Sequence, residues 1–198
     1  VNSSKKVLGI TGLYCSGKSS ADKILLQYGY KIIDVDLLGH EALDICKDLI
    51  VKNFGKDILK NKVIDRKKLG GIVFSCRDKL NELNKIVHPV MIKMVKERMA
   101  SGGDKICINA ALLFEMGLDE LCSAVCIIKS SLFNIIKKAK KRDGYSFWKV
   151  LRIINNQKVN YYANKKKQNV DIFYVSNNYN LHNFTDKFIK TLRERNYI

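Results

Sequence analysis

Residues Val7 to Ser20 read VLGITGLYCSGKSS, and this stretch decides the fold. A short apolar run, Val7 to Ile10, leads to Gly12, four intervening residues, and then Gly17, Lys18 and Ser19. That is the spacing of a phosphate-binding loop placed where a strand ends. Glycines let the backbone wrap with its N–H groups turned inward, a lysine carries positive charge to the outer phosphates, and a serine hydroxyl can ligate Mg²⁺. The helical pattern that follows, Ala21, Ile24, Leu25 and Tyr28 closed by Gly29, presents its N-terminus to the anion. Gly12, Leu13, Tyr14, Cys15, Ser16, Gly17, Lys18, Ser19 and Ser20 are therefore expected to hold the phosphates of a nucleoside triphosphate.

Working outward, 198 residues suffice for one α/β core with an insertion but are few for two independent domains. Lys and Arg number 36 against 19 Asp and Glu, a net charge of +17 that points to an anionic partner such as nucleic acid, a membrane surface or a phosphate-rich small molecule. Lys/Asn-rich stretches such as Asn164 to Asn169 contribute to that charge as a compositional bias. The six cysteines form no C-x-x-C pair, which argues against a zinc site or a disulfide framework. No apolar run of membrane-spanning length and no secretory signal pattern is present, so a cytoplasmic protein with reduced thiols is expected.

Lys31 to Val35 reads as a second strand with Asp34 and Asp36 at its C-terminal end, where open parallel sheets place their chemistry. On an extended segment residues two apart share a side, so the two acids are expected to face one site. Asp36 also suits the N-cap of a helix over Leu37 to Asn53. Leu37 to Gly103 is mostly helical by its spacing, too much for one crossover connection, and reads as an inserted lobe. Pro89, the only proline, is expected to break one helix and sit in the first turn of the next. Ile106 to Ala111, Ser123 to Ile128 and Ile172 to Val175 are further strands, and their alternation with helices implies a parallel sheet covered on both faces. Phe133 to Gln157 is basic, with Lys137, Lys138, Lys140, Lys141, Arg142 and Arg152, and Leu181, Phe184, Phe188 and Leu192 mark a closing amphipathic helix.

The ordered set TG…SGKS at Thr11 to Ser19, D-x-D at Asp34 to Asp36, IDR…L…VF at Ile64 to Phe74, L…HP at Leu83 to Pro89, LLFE at Leu112 to Glu115, RD at Arg142-Asp143 and RI…NQ at Arg152 to Gln157 resembles the dephospho-coenzyme A kinases. The resemblance implies ATP-dependent phosphorylation of the ribose 3′-hydroxyl of dephospho-coenzyme A, the closing step of coenzyme A synthesis. It also implies a single phosphate-loop kinase domain over residues 1–198, with a five-stranded parallel sheet, a coenzyme-binding helical lobe at about 37–104 and a lid at about 137–163 that closes over ATP.

On this resemblance Asp36 accepts or orients the proton of the 3′-hydroxyl, Lys18 and Arg142 stabilise the transferring phosphate, and Asp34 with Ser19 holds Mg²⁺. Arg142 otherwise belongs to a solvated basic helix face. Arg66 either binds an anionic part of the substrate or makes a salt bridge within the lobe. His88 either contacts substrate or orients the lobe through a hydrogen bond. Glu115 either caps a helix or contacts substrate or Mg²⁺.

The chain departs from the family at Leu13 and Cys15, where glycines are usual, at Ala111, where proline is usual, and at Asn109, where an acid is common. A family pattern near the C-terminus is echoed by Val170-Asp171 to Asn177, which places Asn177 at the nucleotide. Two other functions compete. A nucleoside or nucleotide kinase would share the loop, sheet and lid. A nucleic-acid-binding NTPase would use the positive charge and the aromatics Tyr145, Phe147, Trp148, Tyr161 and Tyr162, though no nucleic acid is the expected partner.

Overall fold

A computed structural model describes residues 5–155, 157, 170–178 and 181–198. Within the anticipated lid, residues 156 and 158–163 lie outside this described set, as do Tyr161, Tyr162 and the stretch Asn164 to Asn169. The chain divides into two compact units, Val1–Asp34 with Ser101–Ile198, and Val35–Ala100.

The first unit is built on β1 (Lys6–Gly12), whose residues after Lys6 are all buried, as expected for the central strand of a covered sheet. Around it stand β2 (Lys31–Asp34), β5 (Lys105–Asn109), β6 (Ala124–Lys129) and β7 (Asp171–Ser176), in the order β2-β5-β1-β6-β7. Every pairing is parallel. The loop after β1 therefore leaves the sheet between strands that lead to opposite sides, the position at which open α/β sheets bind ligands.

Period-two alternation decides what each face carries. Leu8 and Ile10 of β1, Ala124, Cys126 and Ile128 of β6, and Phe173 and Val175 of β7 turn to one side. There they meet Ala21, Ile24 and Leu25 of α1 (Lys18–Gln27) and Phe184, Phe188 and Leu192 of α8 (Leu181–Glu194). The buried α8 residues recur every fourth position and form one stripe along the helix, flanked by the half-buried Ile189. Removing a fully buried ring such as Phe188 by substitution to Ala should cost about 3 to 5 kcal/mol. Val125 and Ile127, of opposite parity, are buried too, so the sheet is covered on both faces.

The second unit contains α2 (Val35–Ile45), α3 (Lys47–Phe54), a hairpin of β3 (Leu59–Lys60) and β4 (Val63–Ile64), α4 (Arg66–Val73) and α5 (Arg77–Ala100). It has a core of its own, in which Cys46, Ile50, Ile58, Ile64, Leu69 and Val73 pack with the flanks of Leu80, Leu83, Ile86 and Val90. Arg98 donates to both carboxylate oxygens of Glu41 at 2.8 Å, joining α5 to α2.

Three expectations are corrected here. Pro89 does not divide the chain into two helices: α5 runs through it. Val87, Met91 and Val95 are buried at spacings of four on both sides of the proline, and this shared apolar face holds the helix together despite the roughly 3 kcal/mol that an internal proline costs. Second, α2 begins at Val35, so Asp36 lies inside its first turn and does not cap it. Third, the β3–β4 hairpin escaped the sequence reading because its turn is Asn61-Lys62. Both residues have positive φ, 52° and 63°, the conformation that two-residue hairpin turns usually obtain from glycine.

Candidate active site

The loop from Gly12 to Ser19 is shaped by two glycines. Gly12 has φ of +154°, and a Cβ there would lie 2.5 Å from the Ile128 carbonyl oxygen and 2.7 Å from Ser16 Oγ. Gly17 has φ of +116° and a Cβ would fall 2.0 Å from Asn177 Nδ2. Gly17 also stands at the N-cap of α1, where no side chain caps the helix and no acid occupies the first turn. The positive end of the helix dipole is therefore left for an incoming anion.

The two departures from the family's glycines differ in kind. Leu13 does not have positive φ, so its backbone makes no demand for glycine. Cys15 does, with φ of 56°, and a non-glycine residue held there costs about 1 to 2 kcal/mol. What both gain is packing. Leu13, Tyr14 and Cys15 lie against a small cluster formed by Ile135 and Ala139 of α6 (Leu132–Asp143) and Val150 of α7 (Phe147–Asn155). The Cys15 thiol is pushed up by burial, which outweighs the lowering influence of Arg142 and Lys18, so it is not poised as a thiolate.

Lys18 Nζ donates to the Gly12 carbonyl at 3.1 Å, folding its side chain back across the loop. Asn177, buried after β7, donates from Nδ2 to the Ser16 carbonyl at 2.7 Å, while its own backbone N–H donates to the Lys129 carbonyl at 2.7 Å. Asn177 thus buttresses the loop from behind. Ser16 Oγ is buried without a hydrogen-bond partner among the described residues. Ser19 is exposed at the second position of α1.

Arg142 is the penultimate residue of α6, whose last turn is basic and whose C-cap is Gly144. Its Nε lies 3.1 Å and 2.9 Å from the two carboxylate oxygens of Asp143, and Nη2 lies 2.9 Å from Oδ2. The guanidinium stands over the Tyr14 ring, 5.0 Å from its centroid. The Tyr14 hydroxyl donates to the same Asp143 carboxylate. Asp143 is lowered by the Arg142 and Tyr14 hydrogen bonds, and Arg142 is raised by its bond to Asp143, so the pair stays ionised. Lys138, half-buried on α6, is lowered by burial. The Tyr14 N–H donates to Gln157 Oε1 at 2.8 Å, and the Tyr14 and Tyr145 rings stack with centroids 6.1 Å apart. Asp143 and Gln157 carry no role in the sequence reading, although the RD and NQ pairs that contain them are the signal for both.

Asp34 ends β2, half-buried, in register with Asn109. Since the helix starts at Val35, Asp34 and Asp36 do not lie on one extended segment, and period-two alternation does not align them. Among the described residues no three His, Cys, Asp or Glu form a metal-binding group. Ser19 and Asp34 are nevertheless hard oxygen donors of the kind magnesium takes when phosphates supply most of its shell. Glu115 lies in a turn that precedes the short 3₁₀ turn Leu118–Leu121, so the helix it was expected to cap does not form.

In the helical unit Asp36 is exposed on α2. Arg66 opens α4 behind the Asp65 cap, whose carboxylate accepts from the Lys67 and Lys68 N–H groups at 2.9 and 3.2 Å. Arg66 is exposed and makes no ion pair among the described residues, so the intralobe salt bridge is not found. His88 borders a hollow of about 520 Å³ with Asn81, Asn84, Lys85, Pro89 and Ile92. Its ring makes no hydrogen bond among the described residues, contrary to the orienting role expected of it, and burial lowers its pKa.

A parallel sheet of this order, with a glycine-wrapped loop between its central strand and an uncapped helix, defines an α/β phosphate-loop kinase. Comparison with known proteins narrows the class. The family model for dephospho-CoA kinase matches residues 6–183. A relative from Lactobacillus johnsonii, named dephospho-CoA kinase, is 37% identical over 158 residues, 76% of this chain and 80% of its own length. One of the same name from Fusobacterium nucleatum is 34% identical over 94% of this chain and 98% of its own. The dephospho-CoA kinase structure from Campylobacter jejuni superposes with a TM-score of 0.67 at 27% identity, covering 96% of each chain. The chain belongs to the dephospho-CoA kinase family. Among the described residues, no helix is long and apolar enough to cross a membrane.

Proposed function

We propose that this chain transfers the γ-phosphoryl group of ATP to the ribose 3′-hydroxyl of dephospho-coenzyme A, giving coenzyme A and ADP. The observation that carries this reading is the extent of the family match, residues 6–183, which spans the helical unit as well as the phosphate loop. A nucleoside or nucleotide kinase sharing only the sheet and loop would not require the helical segments.

Phosphoryl transfer asks a protein for position and charge more than for covalent chemistry. The loop amides not already donated within the protein, as those of Tyr14 and Ser16 are, and the N-terminus of α1 hold the phosphates, and Lys18 exchanges the Gly12 carbonyl for an outer phosphate oxygen. Arg142 stabilises the transferring group. Asp36 accepts or orients the 3′-hydroxyl proton as the bond to phosphorus forms. Arg66 and His88, together with Glu115, bind the acceptor. Magnesium, held by Ser19 and Asp34, would neutralise phosphate charge when bound. Asn177 acts on the nucleotide through the loop carbonyl it supports. The setting that suits this substrate pair and the six free thiols is the reducing cytoplasm.

The test is a panel of acceptors, dephospho-coenzyme A and nucleosides, each incubated with the purified chain, ATP and Mg²⁺. Phosphorylation of dephospho-coenzyme A is expected. Phosphate appearing on a nucleoside and not on dephospho-coenzyme A would reject the assignment.

A further inference from the structure

The Tyr14 contacts reach beyond what phosphate binding needs. A loop residue in this position has only to keep out of the way of the phosphates, yet Tyr14 touches the end of α6, the turn after it and Gln157 in four ways. Its N–H donates to Gln157, its ring stacks on Tyr145, the same ring underlies the Arg142 guanidinium, and its hydroxyl donates to Asp143. Lys149 Nζ then covers the Tyr145 ring at 3.5 Å. The sequence separation is large: Tyr14 and Asp143 are 129 residues apart. Arg142 and Asp143 are adjacent and exposed, a setting in which an ion pair alone holds a long side chain poorly.

We propose that Tyr14 is a positioning residue for Arg142: its hydroxyl fixes the Asp143 carboxylate, and that carboxylate fixes the guanidinium over the phosphate loop. This rests on the reading that Arg142 stabilises the transferring phosphate. Asp143 holds the Nε and Nη2 edge of the fork, so rotation of the guanidinium about its stem is arrested in one orientation. The ring beneath supplies a cation–π contact that sets its height above the loop. The loop that binds the phosphates thereby also places the cation that meets them, and Arg142 needs no ordering at the moment of transfer.

Tyr14→Phe keeps the ring and removes only the hydroxyl. Only part of the lost hydrogen bond to the charged Asp143 bears on Arg142, so kcat should fall by about 3- to 10-fold. KM for ATP should stay within about twofold, because the loop amides and Lys18 are untouched. Affinity for ADP with aluminium fluoride and dephospho-coenzyme A should fall with kcat, while ADP alone binds as before. Asp143→Asn should reproduce the loss, and combining it with Tyr14→Phe should add little. In an Arg142→Ala background Tyr14→Phe should change kcat no further. Undiminished kcat in Tyr14→Phe, or the same fractional loss with and without Arg142, overturns the proposal while leaving the role of Arg142 intact. If Arg142→Ala itself retains full kcat, the reading of Arg142 fails and the positioning role fails with it.

Discussion

Four candidate residues of the sheet unit and two of the helical unit are held in opposite ways. Lys18, Tyr14, Arg142 and Asn177 each have a named partner within their own unit, and two of those partners are backbone carbonyls of the loop itself. Arg66 and His88 have no hydrogen bond or ion pair among the described residues, although Asp65 and Arg98 of the same unit are well partnered. Preorganisation is thus concentrated on the side that handles triphosphate, whose charge and shape are the same in every turnover. Groups without internal partners are free to bond a ligand without first breaking a bond to the protein.

That contrast can be broken most severely at Gly17. Gly17→Ala drives a Cβ into Asn177 at 2.0 Å and demands a positive φ of a residue that resists it. Turnover should fall by more than about 100-fold and thermal stability should drop as well, both read on one preparation. Asp36→Asn tests the other side. Turnover should fall by roughly 10²- to 10⁴-fold with ATP affinity and melting temperature nearly unchanged. Retained turnover would remove Asp36 from the chemistry. Arg66→Ala should raise KM for dephospho-coenzyme A by about 10-fold with little change in kcat, the signature of lost uniform binding, and it should not destabilise the fold because no partner among the described residues is abandoned.

The smallest effect concerns His88. Burial depresses its folded pKa below 6.5, so the unfolded chain binds the proton more readily. Stability should be full above pH 6.5 and decline as pH falls from there toward the folded pKa, then decline no further on this account. His88→Gln should flatten that part of the curve in denaturant titrations between pH 7.5 and 5. An unchanged slope would remove His88 as its source.

Much of the sheet unit was legible because its strands are apolar runs whose length and punctuation leave little choice. Val7 to Ile10 and Ile106 to Ile108 are buried as their composition requires. The helical unit was harder. Pro89 is a strong local signal, but it was outweighed by burial of Val87, Met91 and Val95 along one face, an effect that only tertiary packing creates. The Asn61-Lys62 turn carries no glycine to announce it. Aligning Asp34 with Asp36 requires extended backbone for two residues past Asp34, where the chain instead enters α2 at Val35. At the site, the phosphate loop was readable from spacing alone, whereas the contact between Tyr14 and Asp143 joins segments so distant in sequence that no local pattern could reveal it.

Pro89 has one more consequence. Lacking an N–H, it cannot donate to the carbonyl of Lys85 one turn earlier, so that oxygen is denied its helical partner on the stretch of α5 that borders the His88 hollow. A missing rung weakens its neighbours, because each helical bond is steadied by those beside it. In shape α5 is a single rod of 24 residues. In amide exchange it should behave as two, with a faster-exchanging collar where its hydrogen-bond ladder is interrupted.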